Sequence, residues 1–354
     1  MSIVERARPA IRTLQPYSSA RMEARGGNVL LNANESPWPP YGDDSKCNRY
    51  PDPQPTALIE KLAALYAVRR EQVLAGRGSD EAIDLLVRAF CEAGRDAILI
   101  SPPVFGMYAV CAHIQGAGVI EAPLREDFAL NIDAMIAAMT SAVKLVFVCA
   151  PNNPTGQIVP RIDIERLASK LTDRAIVVVD EAYVEFADAP FRSAAHLLDS
   201  YENIAVLRTL SKAYALAGAR IGVLLAHPDV IALLRRIMPP YPLPAPCVEA
   251  ALRALSPAGL TLAARRIEIV RNERARMRER LACAPGVRTV LASQANFLTV
   301  RFDDAGEVYR RLLDEGVVVR DVRSHPRLGD ALRITIGTPL ENDCVLKSLA
   351  GAAA

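Results

Sequence analysis

The sequence has little of what would mark a membrane, secreted, metal-built or nucleic-acid-binding protein. Its uninterrupted apolar runs are short, Leu145 to Ala150 being typical. A bilayer-spanning helix needs about 20 such residues, so no transmembrane segment is expected. The N-terminal stretch carries Glu5, Arg6, Arg8 and Arg12 without an apolar core. No secretory signal is read there. The seven cysteines form no CxxC pair and several sit in apolar segments. They read as reduced core thiols, and a cytoplasmic protein is expected. Four scattered histidines and no HExxH give no protein-built metal site. Lys plus Arg is 42 and Asp plus Glu is 40, a net charge of only +2. That balance argues against a general nucleic-acid binder. Gly-rich phosphate loops are missing too. Gly76-Arg77-Gly78 lacks the third glycine of a dinucleotide fingerprint, Gly218–Gly222 has the wrong spacing, and there is no Walker A string.

What is present is a large apolar fraction, 51%, with 23% charged residues, enough to bury a core and to exclude disorder. Ala97–Ile100, Leu145–Cys149, Ile176–Val179 and Ile204–Leu207 are short, aliphatic and almost uninterrupted. Such runs suit strands of a sheet covered on both faces. Helical periodicity fills the gaps: Ile83, Leu86, Val87 and Phe90 share one face of 79–91, and 162–171 and 230–237 behave alike. This βαβ rhythm predicts an α/β fold with a mostly parallel sheet. Five prolines between Pro239 and Pro246 stop any helix or central strand. They mark the expected end of a large domain over 46–238. Residues 1–45 are expected to form an N-terminal arm and part of a small domain. The chain over 239–354 is expected to form the rest of that α+β domain. It should hold helix to about 283, interrupted at Ser256-Pro257, strands at 287–291, 296–301, 317–320 and 332–336, and a helix at 304–315.

In an open parallel sheet, ligands bind beyond the carboxyl ends of the strands. Four such ends carry chemistry here. Pro102-Pro103-Val104-Phe105-Gly106 and Tyr108 follow the first, and Pro151-Asn152-Asn153-Pro154-Thr155-Gly156 the second. Asp180, Glu181, Ala182 and Tyr183 follow the third; Arg208, Thr209, Ser211, Lys212 and then Arg220 follow the fourth. Singly, each has a plain reading: a solvated lysine, a helix-capping aspartate, a turn. Jointly they match the needs of one cofactor, pyridoxal phosphate (PLP). Its aldehyde needs a lysine for a Schiff base, and Lys212 has Arg220 as a cationic neighbour to lower its proton affinity. Its ring nitrogen needs a buried carboxylate, Asp180. Its ring oxygen needs donors, Asn153 and Tyr183. Its phosphate needs free N–H groups where Ser79, expected as N-cap, and Asp80 open a helix, with Thr209, Ser211 and Arg220 adding bonds. Asp80 and Glu81 suit that place only if their carboxylates point elsewhere. Phe105 is placed to stack on the ring.

With these residues set out, the sequence resembles the fold-type I, PLP-dependent aminotransferases over about residues 14–337. Asn-Pro-Thr-Gly at 153–156 and Ser211-Lys212 are shared widely in that superfamily. Asn32-Ala33-Asn34-Glu35 and the string from Asp180 to Phe186 are narrower and are similar to the histidinol-phosphate branch. The resemblance implies a large domain with a mostly parallel central sheet and a smaller α+β domain. It implies that Lys212 is the Schiff-base lysine and proton shuttle, and that Asp180, Asn153, Tyr183, Ser79, Asp80, Thr209, Ser211 and Arg220 hold the cofactor. It also implies a homodimer in which Tyr50 reaches the neighbouring site, and substrate binding by Arg333 and Arg320 with Tyr17 and Asn34. Substrates would be histidinol phosphate and 2-oxoglutarate or glutamate, in histidine biosynthesis. The ring-stacking position, often Tyr in this family, is Phe105 here.

Unaided by the resemblance, Arg320 reads as a solvated strand end and Arg333 as a partner of Asp330. Aromatic-amino-acid aminotransferases and amino-acid phosphate decarboxylases share the scaffold and the substrate arginines, so motifs separate them poorly. A PLP-binding regulator would need a DNA-binding segment, and no helix-turn-helix is read.

Overall fold

The computed structural model describes residues 2–17, 29–42 and 47–350. Residue 1, residues 18–28 and 43–45 of the expected N-terminal arm, residue 46 and the Ala-rich tail at 351–354 lie outside the described residues.

Seven strands form the larger sheet: β1 (Val73–Gly76), β2 (Ala97–Ile100), β3 (Gly118–Glu121), β4 (Val143–Cys149), β5 (Ile176–Asp180), β6 (Ile204–Thr209) and β7 (Gly222–Ala226). Their order is β1-β7-β6-β5-β4-β2-β3. The pairs from β6 through β3 are parallel, whereas β7 runs antiparallel to both β6 and β1. Alternation shows why the runs are apolar throughout. Val146 and Val148 of β4 join one core cluster, and Leu145, Phe147 and Cys149 join the other. On one face pack α1 (Thr56–Tyr66) and, further along the chain, Arg161–Lys170; on the other pack α2 (Ser79–Phe90), α3 (Met107–Gln115) and Pro228–Arg235. Both faces are dry, as a parallel sheet requires.

The proline stretch is loop as far as Pro244; Pro246 is accepted in the first turn of the helix Ala245–Ala254, where its missing N–H costs nothing. Ser256 then caps the long helix Pro257–Ala282 by accepting from Gly259 N–H at 3.1 Å. A second, antiparallel sheet follows, ordered β10-β11-β9-β8 from β8 (Val287–Val290), β9 (Phe297–Phe302), β10 (Arg320–Asp321) and β11 (Ala331–Thr335). Leu298, Val300, Leu332 and Ile334 face a core shared with Met277, Leu281, Val308 and Leu349. By the period of two, Phe297, Thr299 and Arg333 point the other way.

Two differences from the expected elements stand out. The apolar run at 317–320 pairs only from Arg320, so that arginine opens a strand rather than closing one. Ser79 is not the N-cap: Gly78 is, at φ +82°, and Ser79 is the first helical residue. A side chain at 78 would be strained at that φ and would meet the Arg220 guanidinium at 2.5 Å.

Candidate active site

The carboxyl ends of β4, β5 and β6 and the start of α2 enclose a cleft of ≈ 150 Å³. It is lined by Ser79, Asp80, Phe105, Asn153, Asp180, Tyr183, Thr209, Ser211, Lys212 and Arg220. The cofactor-directed residues expected from sequence thus share one cavity, Tyr50 excepted. Lys212 and Asp180, far apart in sequence, open onto the same space.

Asp180, the last residue of β5, is 3% exposed. One carboxylate oxygen accepts from the Tyr108 hydroxyl at 2.7 Å, and the other from Ala182 N–H at 3.1 Å. Burial pushes its pKa up to about 6, against those two hydrogen bonds. A carboxylate held so dry needs a cationic partner to stay ionised. Lys212 is held below the ordinary lysine range by burial and by the Arg333 and Arg220 charges. Its amine lies 5.8 Å from the centre of the Tyr183 ring. The Asn153 amide donates to the Tyr183 hydroxyl at 3.2 Å, and its carbonyl oxygen accepts from Arg333.

At the α2 end, the first-turn N–H groups have no intrahelical acceptor. Arg220, itself left-handed at φ +53°, donates to Asp80 at 3.3 Å and to Ala217 O at 3.2 Å, with Ser211 Oγ at 3.5 Å. The Glu81 carboxylate turns back to accept from Arg77 N–H at 2.6 Å. Both acidic side chains are therefore engaged, and the main-chain donors remain. The strands meet closely here: a Cβ at Gly222 would lie 2.1 Å from Gly78 C and 2.2 Å from Ser79 N. Only glycine allows β7 to press the loop into this shape.

Arg333 is not paired with Asp330, which instead faces Arg288 and Arg301. Its direct cross-strand partner is Arg320. Like charges directly opposite on a sheet repel, and among the described residues no carboxylate forms a salt bridge to either. His325, half-buried, is held below its ordinary value by burial and then by these two arginines. Among the described residues the corner is thus a positive patch without a salt-bridge partner.

Five expected residues do not line the cleft: Tyr17, Asn34, Tyr50, Arg320 and Arg333, the last reaching its edge only through its bond to Asn153. Tyr17 is exposed, and Asn34 and Tyr50 line a separate surface hollow with Glu35 and Arg49. Tyr50 stacks on Tyr241 with centroids 4.5 Å apart. Arg320, though opposite Arg333, does not line the cavity.

Two features went unassigned from sequence. Tyr108 locks Asp180; its place on the helix after Phe105, where it packs edge-on to that ring at 5.6 Å, was the available signal. Behind Asp180, buried Arg208 bonds Glu181 at 3.0 Å and Glu185 at 2.7 Å and lies 4.5 Å over the Tyr66 ring. Charged residues beside both strand ends were the only hint of that network.

The donor set fits pyridoxal phosphate: a softened amine, a desolvated carboxylate, an amide–phenol pair, an aromatic face, and a glycine-shaped anion cradle with hydroxyls and a guanidinium. Fold and cleft are those of a fold-type I, PLP-dependent enzyme. The family described as "Aminotransferase class I and II" matches residues 27–349. Histidinol-phosphate aminotransferases of Stenotrophomonas maltophilia and Xanthomonas euvesicatoria pv. vesicatoria are 56% and 55% identical to this chain. They cover 97% and 98% of it, over 95% and 97% of their own lengths. The solved histidinol-phosphate aminotransferase of Sinorhizobium meliloti, in complex with pyridoxal-5'-phosphate, is 27% identical with TM-score 0.78. The match covers 86% of this chain and 82% of that one. This chain belongs to the class I and II aminotransferases and, within them, to the histidinol-phosphate aminotransferases.

Proposed function

We propose that this protein transfers the amino group of histidinol phosphate to 2-oxoglutarate, giving imidazole acetol phosphate and glutamate, and runs in the opposite sense in histidine biosynthesis. The observation that carries the reading is the convergence of Lys212 and Asp180 on one cleft near the cross-strand Arg320–Arg333 pair. Bound there, pyridoxal phosphate supplies an aldehyde that captures amines and a ring that withdraws electrons from the bonds at the substrate's Cα. The chain's residues do the rest. Lys212 Nζ, softened by burial and two guanidiniums, is the nucleophile and carries the proton to and from the reacting carbon. Asp180 keeps the ring nitrogen protonated, and Tyr108 and Ala182 N–H hold that carboxylate in line. Asn153 and Tyr183 bond the ring oxygen, and Phe105 covers a ring face. Ser211, Thr209, Arg220 and the N–H groups of Ser79 and Asp80 hold the phosphate. Arg333, with its planar fork, grips either a carboxylate or a phosphate, and Arg320 adds to the field. One positive corner thereby serves two differently shaped anions in turn.

A homodimer follows from the same reading. Tyr50 and Asn34 lie away from this chain's own cleft, and Val29, Leu31, Trp38 and Tyr41 nearby in sequence are 76% exposed or more. A partner surface would cover these side chains. The partner's cleft would receive Tyr50, with Tyr17 and Asn34 closing on substrate. We place the protein in the cytoplasm; no described helix is long and apolar enough to cross a membrane, and Cys91, Cys111 and Cys149 are buried in the core as thiols.

The experiment is a substrate panel on purified, PLP-loaded protein: histidinol phosphate, phenylalanine and threonine phosphate, each with 2-oxoglutarate. Turnover is expected to be highest on histidinol phosphate. Preferential turnover of phenylalanine, or release of CO₂ from threonine phosphate, would overturn the assignment.

A further inference from the structure

The two sheets are tied together just outside the cleft. Residues 293–296 lead into β9 and rest on both loops that carry cleft groups. Gln294 N–H donates to Gly156 O at 2.8 Å. A Cβ at Gly156 would lie 2.3 Å from Ser293 Oγ, so the contact is close. Asp188 and the Gln294 side chain bond each other twice, at 2.7 and 3.0 Å. The Thr299 hydroxyl, on β9, donates to Pro154 O.

Arg274, from the long helix 257–282, sits at the centre of these ties. Its guanidinium is buried, and it donates to Phe186 O at 2.8 Å, Ala295 O at 2.9 Å and the Asp188 carboxylate at 2.7 Å. Phe186 closes the short helical turn that Tyr183 opens. Ala295 precedes Phe297, whose ring meets Tyr183 edge-on at 5.2 Å and lies 5.1 Å beneath the Arg333 guanidinium. Arg271 lies on the same helix and donates to Glu185 O at 2.9 Å. A desolvated guanidinium is tolerable only when its donors are met, and here the acceptors are spread over two segments, 186–188 and 295. A fastener for one helix would not need that spread.

We propose that Arg274 is a positioning residue for the substrate's anionic group. It holds the β9–β11 sheet, and with it Arg333, at a fixed spacing from Asn153 and Tyr183. The inference rests on the reading of Arg333 as the anion-binding group. Loosening the clamp moves Arg333 relative to the cofactor site while leaving in place Lys212, Asp180 and the phosphate cradle, to none of which Arg274 bonds. Displacements of about 1 Å cost up to about 100-fold in such sites. In PLP-loaded Arg274→Gln, KM for both histidinol phosphate and 2-oxoglutarate is therefore expected to rise by roughly 10-fold or more, with kcat changed less and the visible cofactor absorbance unchanged.

A double-mutant cycle separates positioning from general loosening. In an Arg333→Gln background, Arg274→Gln is expected to raise KM by less than about 2-fold, because the group it positions is gone. Equal effects in both backgrounds, or a single-mutant KM near that of the parent, would overturn the proposal. If Arg274→Gln does not fold, Asp188→Asn, which weakens the clamp from its exposed side, carries the same cycle with a smaller expected effect. An arm without turnover uses inorganic phosphate, titrated calorimetrically into each PLP-loaded protein. Weaker phosphate binding in Arg274→Gln supports the clamp even if histidinol phosphate proves not to be the substrate. Unchanged phosphate binding sinks it whatever the substrate panel gives.

Discussion

The buried carboxylate of Asp180 makes cofactor-free protein sensitive to pH in an unusual direction. Its folded-state pKa is raised from 3.8 to about 6 by burial. Between those values the folded protein holds this proton more tightly than the unfolded chain does. Stability from this group is therefore highest below pH 4, falls as pH rises through about 6, and stays reduced above it. The interval is worth roughly 3 kcal/mol. Glu181, also buried and raised, contributes with the same sign, so the effect of Asp180 must be isolated by difference. Asp180→Asn removes the charge while its amide still faces the Tyr108 oxygen and its carbonyl still faces Ala182 N–H. Urea unfolding of cofactor-free parent and variant, from pH 4.5 to 7.5, gives the comparison. The parent is expected to lose most of that 3 kcal/mol relative to Asp180→Asn as pH rises. Loading with PLP gives the carboxylate a cationic partner and should erase the relative slope. A flat difference curve in the cofactor-free proteins would refute the argument from burial.

Three further outcomes are expected. Lys212→Ala should keep the fold, by circular dichroism and thermal melting, and abolish transamination; near-parental turnover would mean that another group does its work. Arg208→Met leaves Glu181 and Glu185 buried without their cation and should cost about 3–5 kcal/mol in unfolding measurements, whereas a surface-like loss below about 1 kcal/mol would show that the network is not needed. Gly222→Ala forces a methyl against the Gly78 carbonyl carbon and should destabilise by about 1–3 kcal/mol and weaken PLP binding in equilibrium dialysis; parental affinity would mean that the cradle is not shaped by that contact.

The strands that surround the cleft were legible because each is buried on both sides and so reads as continuous apolar sequence. β1 and β7 escaped notice for physical reasons. β1 is short and ends in glycine, and β7 begins at Gly222, inside what reads as a loop motif. Strand direction cannot be read from an apolar run at all, and the reversal of β7 is a fact of packing. The edge strand β3 is partly exposed, which blurs its pattern. At the cleft, residue types and order along the rim were enough to bring ten side chains to one cavity. The N-cap was misplaced because Ser is the usual choice there, whereas a positive φ beside Arg220 demands Gly78. Tyr108 was legible only as a rim residue close after Phe105; its bond to Asp180 runs from α3 to β5 and has no local signature. The link from Arg333 to Asn153 joins two sheets and has no local signature.

The backward course of β7 has a consequence for how this enzyme tolerates change. Because that strand returns beside β6, the chain between Thr209 and Gly222 is a single out-and-back excursion over the rim. It bears both the amine at 212 and the guanidinium at 220. Had β7 run the same way as its neighbours, it would have begun at the far end of the sheet, and the arginine would have had to come from another segment. The two charged groups are instead beads on one short thread anchored at both ends. Lengthening or trimming that thread by one residue would dislodge both together, so this connection, unlike most surface turns, has no freedom to vary in length.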